Sequence, residues 1–156
     1  MNVYPIEAGN FKLDGGAMFG VVPKSLWTKT NPADADNMIE MSSRCMLVEN
    51  SGKLILVDTG MGDKQSEKFF KYYKRWGNDN LVKSINSAGF SIDDVTDVLL
   101  THLHFDHCGG AVAWDSSKEA YDVLFKNANY WSNEKHWDWA TSPNPVSYTH
   151  LTLPTK

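Results

Sequence analysis

The stretch Val98–Gly110, with the sequence VLLTHLHFDHCGG, constrains this chain more than any other segment. It joins an apolar run, a cluster of histidines and a glycine pair. The apolar run is typical of a buried strand, and α/β folds place their sites at the carboxyl ends of strands. Imidazole and carboxylate groups suit Zn, Mn, Fe or Co ions. The stretch therefore predicts a metal site at one edge of a sheet.

His102 and His104 lie two residues apart at the predicted end of this strand. On an extended backbone such residues point to the same side, so both imidazoles can bind one ion. The glycine pair allows the chain to turn, and Asp106 and His107 can then hold a second ion from the loop. The alternative is a polar loop with solvated histidines, which the position after an apolar strand disfavours.

The remaining sequence alternates strand-like and helix-like segments, which predicts the α/β class, with α+β layers. A hairpin is predicted in which the strands RCMLVEN and KLILVDT are joined by the turn NSGK. The continuous apolar run LILV suggests a strand buried on both faces. Further strands are predicted for NVYPIEAGNF, AMFGVV, YDVLF and NANYW. Helices are predicted for SEKFFKYYKRW, NDNLVKSINSAGF and SNEKHWDWA.

Composition narrows the class of protein. The chain has 156 residues, of which 42% are hydrophobic and 22% charged, as in one globular domain or a part of one. The net charge of −4 disfavours a nucleic-acid partner, and no apolar stretch is long enough to span a membrane. The N-terminus lacks the features of a signal peptide, and two cysteines make no disulfide framework. The expected location is the cytoplasm.

Two motifs carry a resemblance to a known family. THLHFDHCGG is similar to the H-x-H-x-D-H signature of the metallo-β-lactamase-fold hydrolases. LILVDTGMG resembles the first motif of that superfamily, an apolar strand that ends in Asp-x-Gly. The resemblance runs from Met1 to about Asn144 and implies an αββα sandwich with the site at one edge.

The resemblance also implies roles for individual residues. A first metal ion would be held by His102 and His104, and a second by Asp106 and His107. Asp58 would position the metal loop, although it could also be a simple cap at the end of its strand. Two divalent ions, zinc before Mn, Fe or Co, would share a hydroxide that attacks an ester-like carbonyl. Asp106 would in addition guide a proton to the leaving group.

The segment Leu13–Trp27 resembles the N-terminus of one branch, which holds N-acyl homoserine lactonases and methyl parathion hydrolase. This implies a lactone or another small ester as substrate. Met18 and Phe19 would lie near the substrate pocket, or equally would be core residues of an early strand. A thioesterase of the glyoxalase II type, a diiron oxidoreductase, a nuclease and a non-catalytic metal-binding fragment remain as alternatives. A homo-oligomer is compatible with the sequence.

The segment that follows the metal motif offers weaker candidates. His136 is expected to be a surface residue of a helix. Three tryptophans are expected to pack that helix onto the sheet, with an apolar acyl pocket as the alternative: Trp131, Trp137 and Trp139. Cys108 is expected to be a small, partly buried filler rather than a ligand.

The last residues differ from the rest of the chain. Val146–Lys156, VSYTHLTLPTK, resembles a translated transposase-type sequencing adapter, with a terminal strand as the alternative. Residues 145–156 are therefore expected to be a non-native tail, and His150 is not counted as a ligand. Residues 1–144 would form the N-terminal part of the domain, without three further metal ligands that the resemblance implies. We expect this polypeptide alone to bind metal weakly and to lack activity.

Overall fold

A computed structural model describes residues 1–142. The strands are β1 Asn2–Asp14, β2 Met38–Asn50, β3 Lys53–Val57, β4 Asp97–Leu99, β5 Val112–Trp114, β6 Tyr121–Val123 and β7 Asn129–Trp131. The helices are α1 Gly15–Phe19, α2 Lys24–Trp27, α3 Glu67–Phe70, α4 Leu81–Ser87, α5 Phe105–Cys108 and α6 Glu134–Thr141. Single 3₁₀ turns cover Lys71–Tyr73, Ile92–Asp94 and Gly109–Ala111.

Five strands form the main sheet, in the order β1-β2-β3-β4-β7. The pairs β1–β2 and β2–β3 are antiparallel, whereas β3–β4 and β4–β7 are parallel. β5 and β6 form a separate two-stranded ladder. Because β3 and β4 run in parallel, the residues after Val57 and after Leu99 emerge at the same edge. The mixed α/β layers that the sequence predicts are confirmed.

The core lies on one face of this sheet. Leu47, Leu56 and Val98 are in register across the three central strands and are fully buried. α4 covers them with Leu81 and Ile85, in agreement with the helical pattern of the sequence. Burial of each such side chain contributes about 1.5–3 kcal/mol, so this layer fixes the position of β3 and β4.

The opposite face of the sheet carries apolar side chains that remain accessible. Met46, Val57, Leu99 and Trp131 are in register across β2, β3, β4 and β7. Met46, Leu99 and Trp131 are 43%, 42% and 54% exposed. We call these four residues the open face. The prediction that LILV is buried on both faces is therefore wrong for the described residues.

The N-terminal segment also departs from expectation. The strand predicted for AMFGVV is instead the end of α1 and the turn after it. Asp14 explains the change, because its carboxylate accepts a hydrogen bond from the backbone N–H of Ala17 at 2.7 Å and caps the helix. Gly15 lies against Trp27, where a Cβ would come within 2.4 Å of the indole ring.

The helix predicted for SEKFFKYYKRW is much shorter than its pattern suggests. α3 begins at its cap Ser66 and continues only into one 3₁₀ turn. Lys74 then takes a left-handed conformation with φ 40°, which ends the helix. Trp76 pairs with Asn10 of β1 as an isolated bridge.

Candidate metal centre

The two sequence motifs meet at the carboxyl ends of β3 and β4. The backbone N–H of Asp58 donates to the carbonyl of Leu99 at 2.9 Å. The Asp58 carboxylate in turn accepts the backbone N–H of Thr101 at 2.8 Å. This side-chain bond replaces the ladder, so the strand predicted to run through His104 ends at Leu99. His102 lies in irregular chain, and His104 is the residue that precedes α5.

Residues 58 and 59 hold His107 by both its side chain and its backbone. The Nδ1 of His107 donates to Oδ2 of Asp58 at 2.8 Å. The carbonyl of His107 accepts the N–H of Thr59 at 2.7 Å and its hydroxyl at 3.0 Å. Asp58 has a φ of 61°, which is uncommon outside glycine and persists only where the surroundings enforce it.

The glycine pair has a different function from the one expected. Gly109 and Gly110 lie in a 3₁₀ turn packed against the loop that follows Asp58. A Cβ on Gly109 would lie 2.3 Å from the carbonyl oxygen of Met61, and one on Gly110 would lie 2.2 Å from that of Thr59. The glycines therefore permit close backbone approach between the two motifs rather than only a change of chain direction.

The three histidine rings of the motif lie together. The ring centroid of His102 is 4.7 Å from that of His104 and 4.0 Å from that of His107. Burial, followed by the neighbouring His107 and His104, lowers the pKa of His102. This favours the neutral imidazole, which is the form that binds metal.

Thr101 sets the tautomer of His102. The Thr101 hydroxyl lies 2.9 and 3.0 Å from the two Asp58 oxygens and 3.1 Å from Nδ1 of His102. An ionised carboxylate only accepts, so the hydroxyl donates its proton to Asp58 and accepts from Nδ1–H of His102. The lone pair of His102 is then on Nε2. The same holds for His107, whose Nδ1 proton is directed at Asp58.

The spacing of Asp106 and His107 suits a shared ion. Oδ2 of Asp106 lies 3.7 Å from Nε2 of His107. Two ligands that bind one tetrahedral ion at about 2.0–2.1 Å are about 3.3 Å apart, so this pair is close to that separation. Both residues lie on α5 rather than on an open loop. In chemistry and spacing this pair fits a divalent metal ion.

The described residues do not complete a site by themselves. Within residues 1–142, no group of three or more His, Cys, Asp and Glu side chains is arranged to hold an ion. The motif histidines and Asp106 are therefore clustered without converging on one point. Their roles as ligands remain predictions, as does the positioning role of Asp58.

Comparison with known proteins decides the family. The profile of the metallo-beta-lactamase superfamily matches residues 39–151, which is well over half of the chain. The chain belongs to this superfamily. The matched region includes both motifs and confirms their resemblance to the motifs of this superfamily. Divalent metal ions are implied for its members.

Two curated relatives are similar to this chain in sequence. It is 28% identical over 104 residues to an N-acyl homoserine lactonase of Bacillus cereus, covering 60% of this chain and 40% of the relative. It is 30% identical over 108 residues to a probable metallo-hydrolase of Mycobacterium tuberculosis, covering 60% of this chain and 35% of the relative. The chain spans about two fifths of the length of the curated relatives it matches.

Solved structures confirm the metallo-β-lactamase fold. A probable metal-dependent hydrolase from Staphylococcus aureus matches with a TM-score of 0.83 and 30% identity, over 92% of this chain and 50% of the other. AidC, a dizinc quorum-quenching lactonase in complex with a product, matches with a TM-score of 0.66 and 28% identity, over 91% and 45%.

The residues suggested for the substrate pocket lie in α1. Met18 is 46% exposed, and Phe19 stacks on Trp27 with ring centroids 5.0 Å apart. Neither lines the cleft beside the histidines, which is formed by residues 101–104 and by α6. Their alternative role as core residues of a strand is wrong, since the segment is helical, and the pocket role remains a prediction.

Sequence reasoning missed three residues at this centre. Thr59 and Thr101 hold the motifs together through backbone and hydroxyl bonds, and threonine carries no metal signal that would have marked them. His136 was expected on a helix surface, but it lines the cleft beside His102, with ring centroids 6.3 Å apart. Because His136 is distant from the motif in sequence, its position beside the cleft could not be predicted.

Other expectations concern features at the margin of the centre. Cys108 is partly buried, as expected for a small filler, and burial raises the pKa of its thiol. In residues 1–142, no helix has the length and apolar character needed to cross a membrane. The tail predicted for residues 145–156 and the residue His150 lie outside the described residues.

Proposed function

We propose that the whole protein to which residues 1–144 belong is a metal-dependent hydrolase of lactones or other small esters. His102 and His104 would bind a first divalent ion, and Asp106 and His107 a second. Zinc is the first choice, with Mn, Fe or Co as alternatives. The observation that carries the proposal is the hydrogen bond between Asp58 and His107, which presents Nε2 of His107 next to the Asp106 carboxylate.

The residues of this chain have distinct tasks in such a reaction. Metal ions, when bound at such centres, lower the pKa of water to about 7 and polarise carbonyl oxygens. Asp58 fixes the ring of His107 and, through Thr101, the ring of His102. The Asp106 carboxylate, besides binding the second ion, would guide a proton to the leaving group. Asp58 thus acts through its neighbours rather than on the substrate.

The choice of a lactone rests on similarity. One relative is an N-acyl homoserine lactonase, and one structural neighbour is a dizinc lactonase with its product bound. Identities of 28% leave the substrate class open to test. The second candidate function is a thioesterase, which would use the same metal chemistry. The third candidate function is a diiron oxidoreductase.

The chain is shorter than its relatives, and this bears on whether it is active by itself. It covers 40% of one lactonase and 45% of another. We propose that residues 1–144 supply four metal ligands and that the others belong to the remainder of the fold. The 156-residue polypeptide would then bind zinc weakly and turn over no substrate.

The experiment that tests the function is ring opening of N-acyl homoserine lactones by the intact parent protein. Turnover that is lost on chelation and restored by Zn or Mn supports a metallohydrolase and excludes a non-catalytic module. Asp106→Ala is expected to reduce kcat by about a hundredfold or more, since proton transfer alone contributes this much. Turnover of thioesters without turnover of lactones would contradict the substrate assignment. For the 156-residue chain, two zinc ions retained after dialysis would contradict the proposed division of ligands.

A further inference from the structure

A cleft lies between the metal motif and α6. Its volume is about 340 Å³, within the range of small-ligand sites. Residues 101–104 form one wall, and His136, Trp139 and Ala140 form the other. The cleft therefore opens directly beside His102 and His104. A substrate at the candidate metal centre would extend into it.

His136 is the unusual residue of this wall. Its Nδ1 is fully buried and has no hydrogen-bond partner among the described residues. A buried polar nitrogen without a partner is unfavourable, and such groups in native proteins are usually satisfied. The ring of His136 is 6.4 Å from that of Trp139 and 6.3 Å from that of His102. It thus stands between an aromatic surface and the histidine cluster.

We infer that His136 is a substrate-positioning residue of this centre. When a substrate enters the cleft, the ring of His136 turns so that its Nδ1, buried in the free chain, forms a hydrogen bond with a polar group of the substrate. Trp139 and Leu103 then hold an adjacent apolar chain. The chemical class that suits the cleft is a small ester or lactone with an amide or similar group next to an aliphatic chain. The inference rests on the proposed function, because it takes the reacting carbonyl to lie beside His102 and His104.

Binding can be measured without turnover. The metal-free 156-residue chain is titrated with N-hexanoyl-L-homoserine lactone in the presence of a chelator, and NMR follows the His136 ring and the Trp139 indole. We expect saturable shifts at both rings. The absence of saturable shifts at these rings would overturn the inference. Failure of the proposed function would instead appear as absent turnover in the intact parent protein, so the two failures are distinguishable.

Variants separate a positioning role from a packing role. His136→Leu removes the nitrogen and is expected to weaken binding about fivefold, the value of one ordinary hydrogen bond. His136→Asn keeps a hydrogen-bonding atom near Nδ1 and is expected to bind within about twofold of the unmodified chain. Trp137→Leu is the matched control, because Trp137 is exposed on the same helix and does not line the cleft. Equal losses in the Leu and Asn variants, or none in either, would overturn the inference.

The intact parent protein gives a second readout that does not depend on the fragment. There, His136→Leu is expected to raise KM with little change in kcat, and His136→Asn to restore KM. Unchanged metal content in both variants is expected, since His136 is assigned to the substrate. Loss of metal from the Leu variant, or an unchanged KM, would contradict the assignment.

Discussion

The Nδ1 of His107 donates a hydrogen bond to Oδ2 of Asp58 at 2.8 Å, although 49 residues separate them in sequence. This bond joins the end of β3 to the turn of α5. The same carboxylate accepts the backbone N–H and the hydroxyl of Thr101, so one side chain organises the whole loop from 101 to 107. Asp58 is therefore the structural centre of the candidate site, although it is not among the proposed ligands.

Asp58→Asn should weaken metal binding. The amide keeps the shape of the side chain but removes the charge that fixes the Nδ1 proton of His107. Loss of such a supporting residue typically lowers metal affinity by about 10–100-fold. The measurement is the zinc concentration at which the His107 ring signal is half shifted. Asp93→Asn, on an exposed turn remote from the motif, is the control and should leave this concentration unchanged. Equal affinity in the Asp58 variant would refute the role.

Gly110→Ala should destabilise the fold through a backbone clash. The new Cβ would lie 2.2 Å from the carbonyl oxygen of Thr59, a group that cannot move without disturbing Asp58. We expect a loss of about 2–3 kcal/mol in the free energy of unfolding, measured by urea denaturation. Gly89→Ala is the control: its φ is 92° but nothing lies within 4 Å, so only the backbone strain of about 1 kcal/mol applies. Equal losses in the two variants would show that close approach is not the constraint.

Cys45 should make the fold sensitive to alkaline pH. Burial raises the pKa of its thiol from 9.0 to about 12. Because the folded pKa lies above the unfolded one, the contribution to stability is complete below pH 9 and is lost as the pH rises toward 12. Within this window the loss is about 1.4 kcal/mol per pH unit.

The measurement is the urea midpoint of the unmodified chain and of Cys45→Ala at several pH values. The variant has a constant deficit from its smaller side chain but lacks the titrating thiol. The difference between the two chains should therefore shrink as the pH rises above 9. A difference that stays constant up to pH 11 would show that the thiol is not protected by burial.

The open face should drive self-association of the 156-residue chain. Met46, Leu99 and Trp131 present adjacent apolar surface on the sheet, and such patches are rarely left exposed on monomers. Met46→Lys should reduce concentration-dependent association in sedimentation velocity. Val21→Lys changes a side chain that is 101% exposed but lies off this sheet, and it should have a smaller effect. If both variants associate like the unmodified chain, the open face is not the contact.

Much of the fold could be predicted because its signals are local. The hairpin of β2 and β3, the stop of α4 near Gly89 and the capping box of Ser91 with Asp94 all depend on neighbouring residues. The errors arose where a long-range contact prevailed over the local pattern. β4 ended early because Asp58 binds Thr101, 43 residues away. The strand predicted at AMFGVV is the exception, because the cap that Asp14 gives to α1 is a local contact that the strand-like composition concealed.

The candidate site also combines features that could be predicted from the sequence with features that could not. The clustering of His102, His104 and His107 follows from their spacing and could be predicted. The close approach of Gly110 to Thr59 could not, because it joins segments that are distant in sequence. His136 was missed for this reason too, since no motif links it to the cluster that it faces across the cleft.

We propose that residues 102–107 form one part of a metal centre whose other ligands belong to the remainder of the fold. The most direct test is a zinc titration of the 156-residue chain with ¹⁵N-labelled histidine, read at each ring nitrogen. We predict saturable shifts at Nε2 of His102 and His107 and at the ring of His104, which are reversed on dialysis. Zinc-induced shifts confined to His136, or none at the three motif rings, would contradict it.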